Sequence, residues 1–321
     1  MEFNEYLALV VSRMFWTEAP RTMTPEEAAI MAQGPLNTEW SVYCAAHEIK
    51  AQRIDKNLPM ETAGGVALIK IRGVMMKNAP TYLSYVTSSY SVSEAFNVAA
   101  KDDKIKAVIL SIDSPGGTVG HIVELSDSIY NTRIRKPVIA HVEGMAASAG
   151  YWAASQASAI YLGRMDAVGS IGVYKAVEDT SKMAEDMGVT VHLITTGEYK
   201  GVEVPGMPIT EPQLNEMRKF VGAIFEEFKS SIVRGRGMDR GALDKISDGR
   251  AFIGKEAVAL GLADGVQTFQ QTMTQVFEMV RQQKSDRLRI SARSQLVGAE
   301  LDIATQSLGE IEINTEGTDP R

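Results

Sequence analysis

The most informative part of the sequence is the small-residue stretch Gly144-Met145-Ala146-Ala147-Ser148-Ala149-Gly150-Tyr151. It follows an apolar run, Pro137 to Val142, that predicts a strand, and it precedes a segment typical of a helix. Ser148 is therefore expected at a strand-to-helix turn, where unpaired N–H groups and the helix dipole favour negative charge. A serine hydroxyl there can attack a carbonyl while nearby N–H groups stabilise the oxyanion. The plainer interpretation is a helix N-cap in a tightly packed crossing.

Strands and helices are expected to alternate around this turn. Apolar runs at 66–71, 107–112, 138–142 and 159–162 predict strands, and helices are expected at about 93–100 and 119–133. This alternation indicates right-handed βαβ units on a parallel sheet, so the predicted fold class is α/β. In such sheets, sites lie where strands end and helices begin. The turns at 113–117 and 144–150 both fall there.

Three regions are expected along the chain. Residues 1–63 are expected to form a mostly helical N-terminal arm, with a good helix start at Thr24-Pro25-Glu26-Glu27. Residues 64–270 hold the alternating strands and helices, including a further strand at 189–195. Residues 271–321 are expected to be helical and then, from about 300, a disordered acidic tail.

Composition restricts the class of function. The formal net charge is −7, whereas nucleic-acid binding usually needs a basic surface, so no nucleic-acid partner is expected. The single cysteine, Cys44, excludes internal disulfides and a cysteine metal cluster, and we expect a buried, inert thiol. No apolar run has the length of a membrane span and the N-terminus is acidic, which predicts a cytoplasmic protein. No metal or cofactor is expected.

A nucleophilic Ser148 needs a general base. The histidine nearest in sequence, His141, lies inside a predicted strand, so a Ser-His-Asp triad has no support. Lysine is the other base known to serve serine, although burial must first lower the pKa of an amine from about 10.4. Lys200 follows a predicted strand end and is our candidate. Lys175 is its competitor, in a charged setting that favours a solvated surface residue.

Two further turns carry candidate groups. Ser170, on the Val168-Gly169-Ser170 turn, has the position expected of a hydroxyl that holds the lysine amine. Gly116 and Gly117, at a strand end, offer a backbone N–H to an oxyanion, because glycine allows close approach. Taken alone, Pro-Gly-Gly is more often a simple turn.

Together, these motifs resemble a known family. Over about residues 64–270, the segments Asp113-Ser-Pro-Gly-Gly117, Ala147-Ser148-Ala149-Gly150-Tyr151, Gly169-Ser170-Ile171-Gly172-Val173 and Tyr199-Lys200 are similar, in order and spacing, to the serine–lysine peptidases of the signal peptide peptidase A family. The resemblance implies a Clp-protease/crotonase-like fold of repeated ββα units. It also implies Ser148 as nucleophile, Lys200 as general base, Ser170 as the lysine-orienting hydroxyl, and Gly116 or Gly117 as oxyanion donor.

The segment after Lys200, Gly201-Val-Glu-Val-Pro205-Gly206, is similar to the phage-encoded members, the prohead or capsid-assembly proteases. That resemblance implies scaffold and head proteins as substrates, self-association into a ring, and action in the host cytoplasm or immature phage head. Three alternatives stay open: a soluble host signal-peptide or protein-quality peptidase, a catalytically silent assembly scaffold, and a crotonase-type acyl-CoA enzyme. An extended peptide is expected to bind as an added strand beside 114–118 and 144–147.

Overall fold

The computed structural model of the chain describes residues 38–53, 55, 58–79 and 85–315. The predicted helix start at Thr24 lies outside the described residues. The helices are α1 (Thr38–Ala46), α2 (Ser89–Lys101), α3 (Ile122–Arg135), α4 (Ala149–Ala154), α5 (Ser181–Asp186), α6 (Glu211–Arg236), α7 (Arg240–Asp244), α8 (Gly254–Ala259) and α9 (Phe269–Thr315). The strands are β1 (Gln52–Arg53), β2 (Met60–Ala63), β3 (Val66–Arg72), β4 (Val74–Met76), β5 (Val86–Ser88), β6 (Ala107–Ser114), β7 (Val138–Ala147), β8 (Ala159–Leu162), β9 (Ala167–Gly169), β10 (Ala251–Ile253) and β11 (Gly265–Val266).

One large sheet organises the chain. Its strand order is β1-β2-β3-β6-β7-β8-β11, with β9 paired to the end of β7 and β10 paired to β9. The strands β3, β6, β7, β8 and β11 run parallel, whereas β1 and β2 are antiparallel at one edge. A mixed α/β fold with a mostly parallel sheet is therefore confirmed. The separate pair β4 and β5 lies beside the chain segment that follows β6, since Met75 bridges to Gly117.

Helices cover both faces of this sheet, which explains the continuous apolar runs of its strands. On one face, Leu110 of β6 belongs to the same buried cluster as Phe96 of α2. On the other face, Ile109 shares a cluster with Trp40 of α1 and Phe277 of α9, whose rings stack at 5.6 Å. The strand ends near Ser148 are therefore held between two packed layers.

The segment between β9 and α6 differs from the prediction. The strand expected at 189–195 is wrong, because the structure assigns no strand there. The side chains of Val189 and Ile194 are 50% and 97% exposed. A strand needs a neighbouring strand for its hydrogen bonds, and the described part of this chain places none beside the segment.

The two ends of the chain also differ from expectation. The strand β2 lies within the region predicted to be a helical arm, and it pairs with β3. The helix α9 continues to Thr315, where a disordered tail was expected from about 300. Glutamate and leucine, which favour helices, occur three times and twice between Glu300 and Thr315. The division into three regions stays a prediction. Among the described helices, none has both the length and the apolarity to cross a bilayer.

Burial shifts the pKa values of two side chains in the core, Cys44 and His141. Cys44 is buried, as expected, and burial raises the pKa of its thiol to about 11, with a smaller contribution from Glu61. His141 is 2% exposed, and its Nδ1 lies 2.8 Å from the Thr272 hydroxyl on α9. Burial lowers the pKa of His141 to about 4, although Asp166 opposes the shift. His141 is thus a core residue of the central strand β7.

This pKa shift predicts a contribution of His141 to acid sensitivity. Between its ordinary pKa of 6.5 and its folded pKa of about 4, the unfolded chain binds a proton that the folded chain excludes. Stability should therefore be lost as the pH falls through this window, by up to about 3 kcal/mol from this group. His141→Gln should be less stable near neutral pH but should lose less on acidification. Urea unfolding at about pH 7 and about pH 4.5 measures the loss of unfolding free energy in each protein. Equal losses in wild type and His141→Gln would contradict the assignment.

Candidate active site

Ser148 lies at the N-cap position of α4, directly after β7. Its backbone has φ 50° and ψ −122°, and its side chain makes no capping hydrogen bond. A positive φ is strained for a residue with a Cβ and is typical of functional turns. Two backbone hydrogen bonds hold it there: Ser148 N–H donates to Gly169 O at 2.9 Å, and Trp152 N–H donates to Ser148 O at 2.9 Å. The Ser148 hydroxyl therefore does not cap the helix, contrary to the plainer interpretation.

The glycine loop after β6 packs directly on this turn. Gly116 has φ 100°, and a Cβ built on it would lie 2.7 Å from Ser148 Cβ and 2.9 Å from Ala149 N. No side chain fits in that space without moving the backbone of one of the two turns. Parallel strands bring their carboxyl ends to one edge, which is why two turns distant in sequence meet here.

The two glycines differ in how their backbone groups are used. Gly116 N–H donates to Ser114 Oγ at 3.1 Å, and Gly116 O accepts from Met75 N–H at 2.8 Å. Thr118 N–H donates to Met75 O at 2.9 Å, so Gly117 is the centre of a parallel bridge. In such a ladder, the central residue directs its own N–H and C=O away from the partner strand. Gly117 N–H thus points away from Met75.

Ala149 provides a second N–H beside the serine. It is the first residue of α4, and the first N–H groups of a helix have no intrahelical acceptor. The sequence pattern predicted neighbouring N–H groups but did not identify Ala149. Its position directly after the nucleophile candidate is the signal that identifies it.

Ser170 is brought to the same edge as Ser148. The strands β7 and β9 are paired at their ends, with Ala147 opposite Gly169. Ser170 follows with φ 49°, and its N–H donates to Arg250 O at 2.7 Å. Because Gly169 O accepts from Ser148 N–H, the two serines are held by one continuous set of backbone hydrogen bonds.

Among the described residues, no side-chain hydrogen bond or ion pair holds Lys200 near Ser148 and Ser170. Its side chain is exposed and makes no such contact with the residues that the structure describes. The competitor Lys175 forms an ion pair with Glu203, Nζ to Oε2 at 2.9 Å, with both side chains well exposed. Lys175 is thus the solvated surface residue that its charged setting predicted.

Asp113 anchors the start of the Ser148 stretch. A Cβ on Gly144 would lie 2.8 Å from Asp113 Oδ1, so the carboxylate lies against the start of that stretch. Partial desolvation raises the pKa of Asp113, while the Arg72 guanidinium opposes the rise. Arg72 also donates to Glu143 at 2.9 Å, and so links β3 to β7. No sequence motif predicted these polar contacts.

Comparison with known proteins places the site in a family context. Residues 131–283 match the family model described as Peptidase family S49, a range that includes Ser148, Ser170 and Lys200. The chain is 32% identical over 176 residues to "Serine protease SPPA, chloroplastic" of Arabidopsis thaliana, covering 54% of this chain and 26% of the relative. It is 25% identical over 227 residues to "Protease 4" of Salmonella typhi, covering 70% and 36%.

A phage protein is also similar. The chain is 27% identical over 207 residues to "Capsid assembly protease C" of Escherichia phage lambda, covering 64% of this chain and 47% of the relative. The chain spans 26% to 47% of the length of these three relatives. Over these residues the chain is thus similar to the Peptidase family S49 model and to relatives named as proteases.

The contact between Gly116 and Ser148 leads to a stability prediction. Gly116→Ala places a Cβ against the backbone at a positive φ, so it should lower the free energy of unfolding by about 3 kcal/mol. Gly237→Ala is the matched control, since Gly237 has φ 63° but no atom within 4 Å of its added Cβ. This control should cost only about 1 kcal/mol. Denaturant unfolding compares the two, and equal losses would show that the two turns do not touch.

Proposed function

We propose that this protein is a serine endopeptidase that hydrolyses peptide bonds with a Ser148–Lys200 dyad. The observation that carries the proposal is the Ser148 turn packed against the glycine loop. It combines a hydroxyl without a capping role, a backbone held at positive φ, and backbone N–H groups beside it. These are the parts that acyl transfer requires.

The reaction follows from these groups. Ser148 Oγ attacks the scissile carbonyl carbon and gives its proton to the neutral amine of Lys200. The carbonyl oxygen becomes an oxyanion that accepts from the N–H groups of Gly117 and Ala149. As the C–N bond breaks, the lysine ammonium returns the proton to the leaving amine. Water then attacks the acyl-enzyme, with the same lysine as base, and frees the serine. Ser170 holds the lysine amine in line between these steps.

We further propose that a second copy of the chain completes the site. A lysine in water is almost fully protonated at neutral pH, so the amine must be buried to act as a base. In the single chain Lys200 is exposed, and so are Tyr174, Met187 and Ile194 on the same segment, at 68%, 71% and 97%. Apolar exposure of this kind marks interaction surfaces. Self-association into a ring would cover the segment and place Lys200 beside Ser148 of a neighbour.

The proposed biological role is phage or prophage capsid assembly, with scaffold and head proteins as substrates, in the host cytoplasm or immature head. The relative named "Capsid assembly protease C" supports this role. The second candidate is a soluble host signal-peptide or protein-quality peptidase, which the higher identity to the chloroplastic "Serine protease SPPA" favours. Both share the chemistry and need no cofactor. An extended substrate chain would add as a strand beside 114–118.

Hydrolysis of casein or a quenched peptide tests the dyad. Ser148→Ala and Lys200→Ala should each reduce kcat by about 10⁴-fold or more, since each removes a member of the catalytic pair. Lys175→Ala is the matched control and should retain wild-type activity, because that lysine is in a surface ion pair. Wild-type activity in Lys200→Ala would exclude Lys200 as the base. No hydrolysis by any variant would favour a silent scaffold.

Mixing the two inactive variants tests whether the dyad forms between copies. After co-refolding, a Lys200→Ala chain supplies an intact serine and a Ser148→Ala chain supplies an intact lysine. A site built between neighbours should regain about a quarter of wild-type activity at equal mixing, because assembly is random. A dyad within one chain regains none.

The pH profile tests the base independently. Since the amine acts only when it is neutral, kcat/KM should rise with pH across the neutral and alkaline range. A histidine base would instead give a rise that levels off near the ordinary histidine pKa of about 6.5. Initial rates over a buffer series, with stability checked at each pH, distinguish the two.

A further inference from the structure

Ser114 is a fully buried serine that ends β6, two residues before Gly116. Its hydroxyl donates to Gly73 O at 2.6 Å and accepts from Gly116 N–H at 3.1 Å. Gly73 N–H in turn donates to Asp113 O at 2.8 Å. The hydroxyl therefore ties the glycine loop to the junction between β3 and β4.

The backbone groups of the loop show why this hydroxyl matters. Gly116 O and Thr118 N–H are both bonded to Met75, and Gly116 N–H is bonded to Ser114 Oγ. Gly116 is buried, so without the hydroxyl its N–H would lose the acceptor that it has in the structure. An unpaired buried donor is costly, and a glycine peptide can rotate to relieve it. Rotation of that peptide would turn the next N–H, that of Gly117.

Ser114 also contacts the helix that carries the nucleophile. A Cβ built on Gly150, the second residue of α4, would lie 3.1 Å from Ser114 O and 3.6 Å from its Oγ. The strand residue Ser114 is paired with Ala146 of β7. One buried side chain thus touches the glycine loop, while its backbone packs against the start of α4.

We propose that Ser114 is a positioning residue for the oxyanion site. Its hydroxyl fixes the Gly116 peptide, so that Gly117 N–H faces the position where the substrate carbonyl oxygen becomes negative. This inference rests on the proposed function. Stabilisation by an oxyanion site requires donors that are already oriented before the reaction, and two adjacent glycines are poorly oriented by themselves. Ser114 supplies the orientation and does not touch the substrate.

Steady-state kinetics of Ser114→Ala test the role. Because the donor is misaligned but not removed, kcat should fall by about 10- to 100-fold. The KM should stay within about twofold, since the lost interaction forms only in the transition state. The shape of the pH profile should not change, because the base is unaffected. Ser114→Thr, which keeps the hydroxyl, should recover most of the loss.

Ser111→Ala is the matched control for these kinetics. Ser111 is also fully buried on β6, but its hydroxyl bonds to Arg72 and Glu143 instead of the loop. Its removal should leave kcat near the wild-type value. An unchanged kcat in Ser114→Ala, a loss confined to KM, or an equal loss in Ser111→Ala would each overturn the proposal. If Ser114→Ala does not fold, Ser114→Cys replaces it, because a thiol is a weak acceptor.

Amide hydrogen exchange separates this inference from the proposed function. In Ser114→Ala, exchange in a peptide covering 114–118 should be at least about 10-fold faster than in wild type, because the Gly116 N–H loses its acceptor. Exchange in 138–142, in the centre of the sheet, should not change. Absence of Ser148-dependent hydrolysis in wild type would contradict the proposed function. Unchanged exchange at 114–118 would instead contradict the role of Ser114 in fixing the Gly116 peptide.

Discussion

The site depends on the close approach of two backbone turns, at Gly116 and Ser148. Their separation leaves no room for a Cβ on Gly116, so the nucleophile candidate and the glycine loop are in direct contact. The hydrogen bond from Ser148 N–H to Gly169 O adds the third strand end to the same unit. Rigid elements are needed here because oxyanion stabilisation is lost when the donors move by a fraction of an ångström. The two-layer core beneath supplies that rigidity.

This part of the molecule could be predicted from the sequence because it is built from local patterns. The apolar runs of β3, β6, β7 and β8 predicted the strands, and parallel strands bring turns such as 113–117 and 144–150 to one edge. The positions of Ser148 and Ser170 at strand ends were therefore predictable. The Clp-protease/crotonase-like arrangement of the units stays a prediction.

Other parts depend on long-range contacts that no local pattern encodes. The difference between Gly116 and Gly117 arises from the bonds to Ser114 and Met75, and the latter comes from a distant strand. The contact between Asp113 and Gly144 likewise depends on how β6 and β7 align past an irregularity in their register. The helix that continues to Thr315 was not predicted, because the acidic composition of residues 300–315 is also typical of a disordered tail.

The incorrect strand at 189–195 is informative in another way. Its residues have the composition of a strand, yet in the single chain they face solvent. A β-rich pattern of this kind is satisfied only by a neighbouring strand or an apolar surface, and within the described residues this chain offers the segment neither. Lys200 follows the same segment. The proposed base must be buried, and the exposed apolar side chains beside it would be stabilised by burial as well. A second copy of the chain would satisfy both, which is why we propose that the lysine and the serine come from different copies.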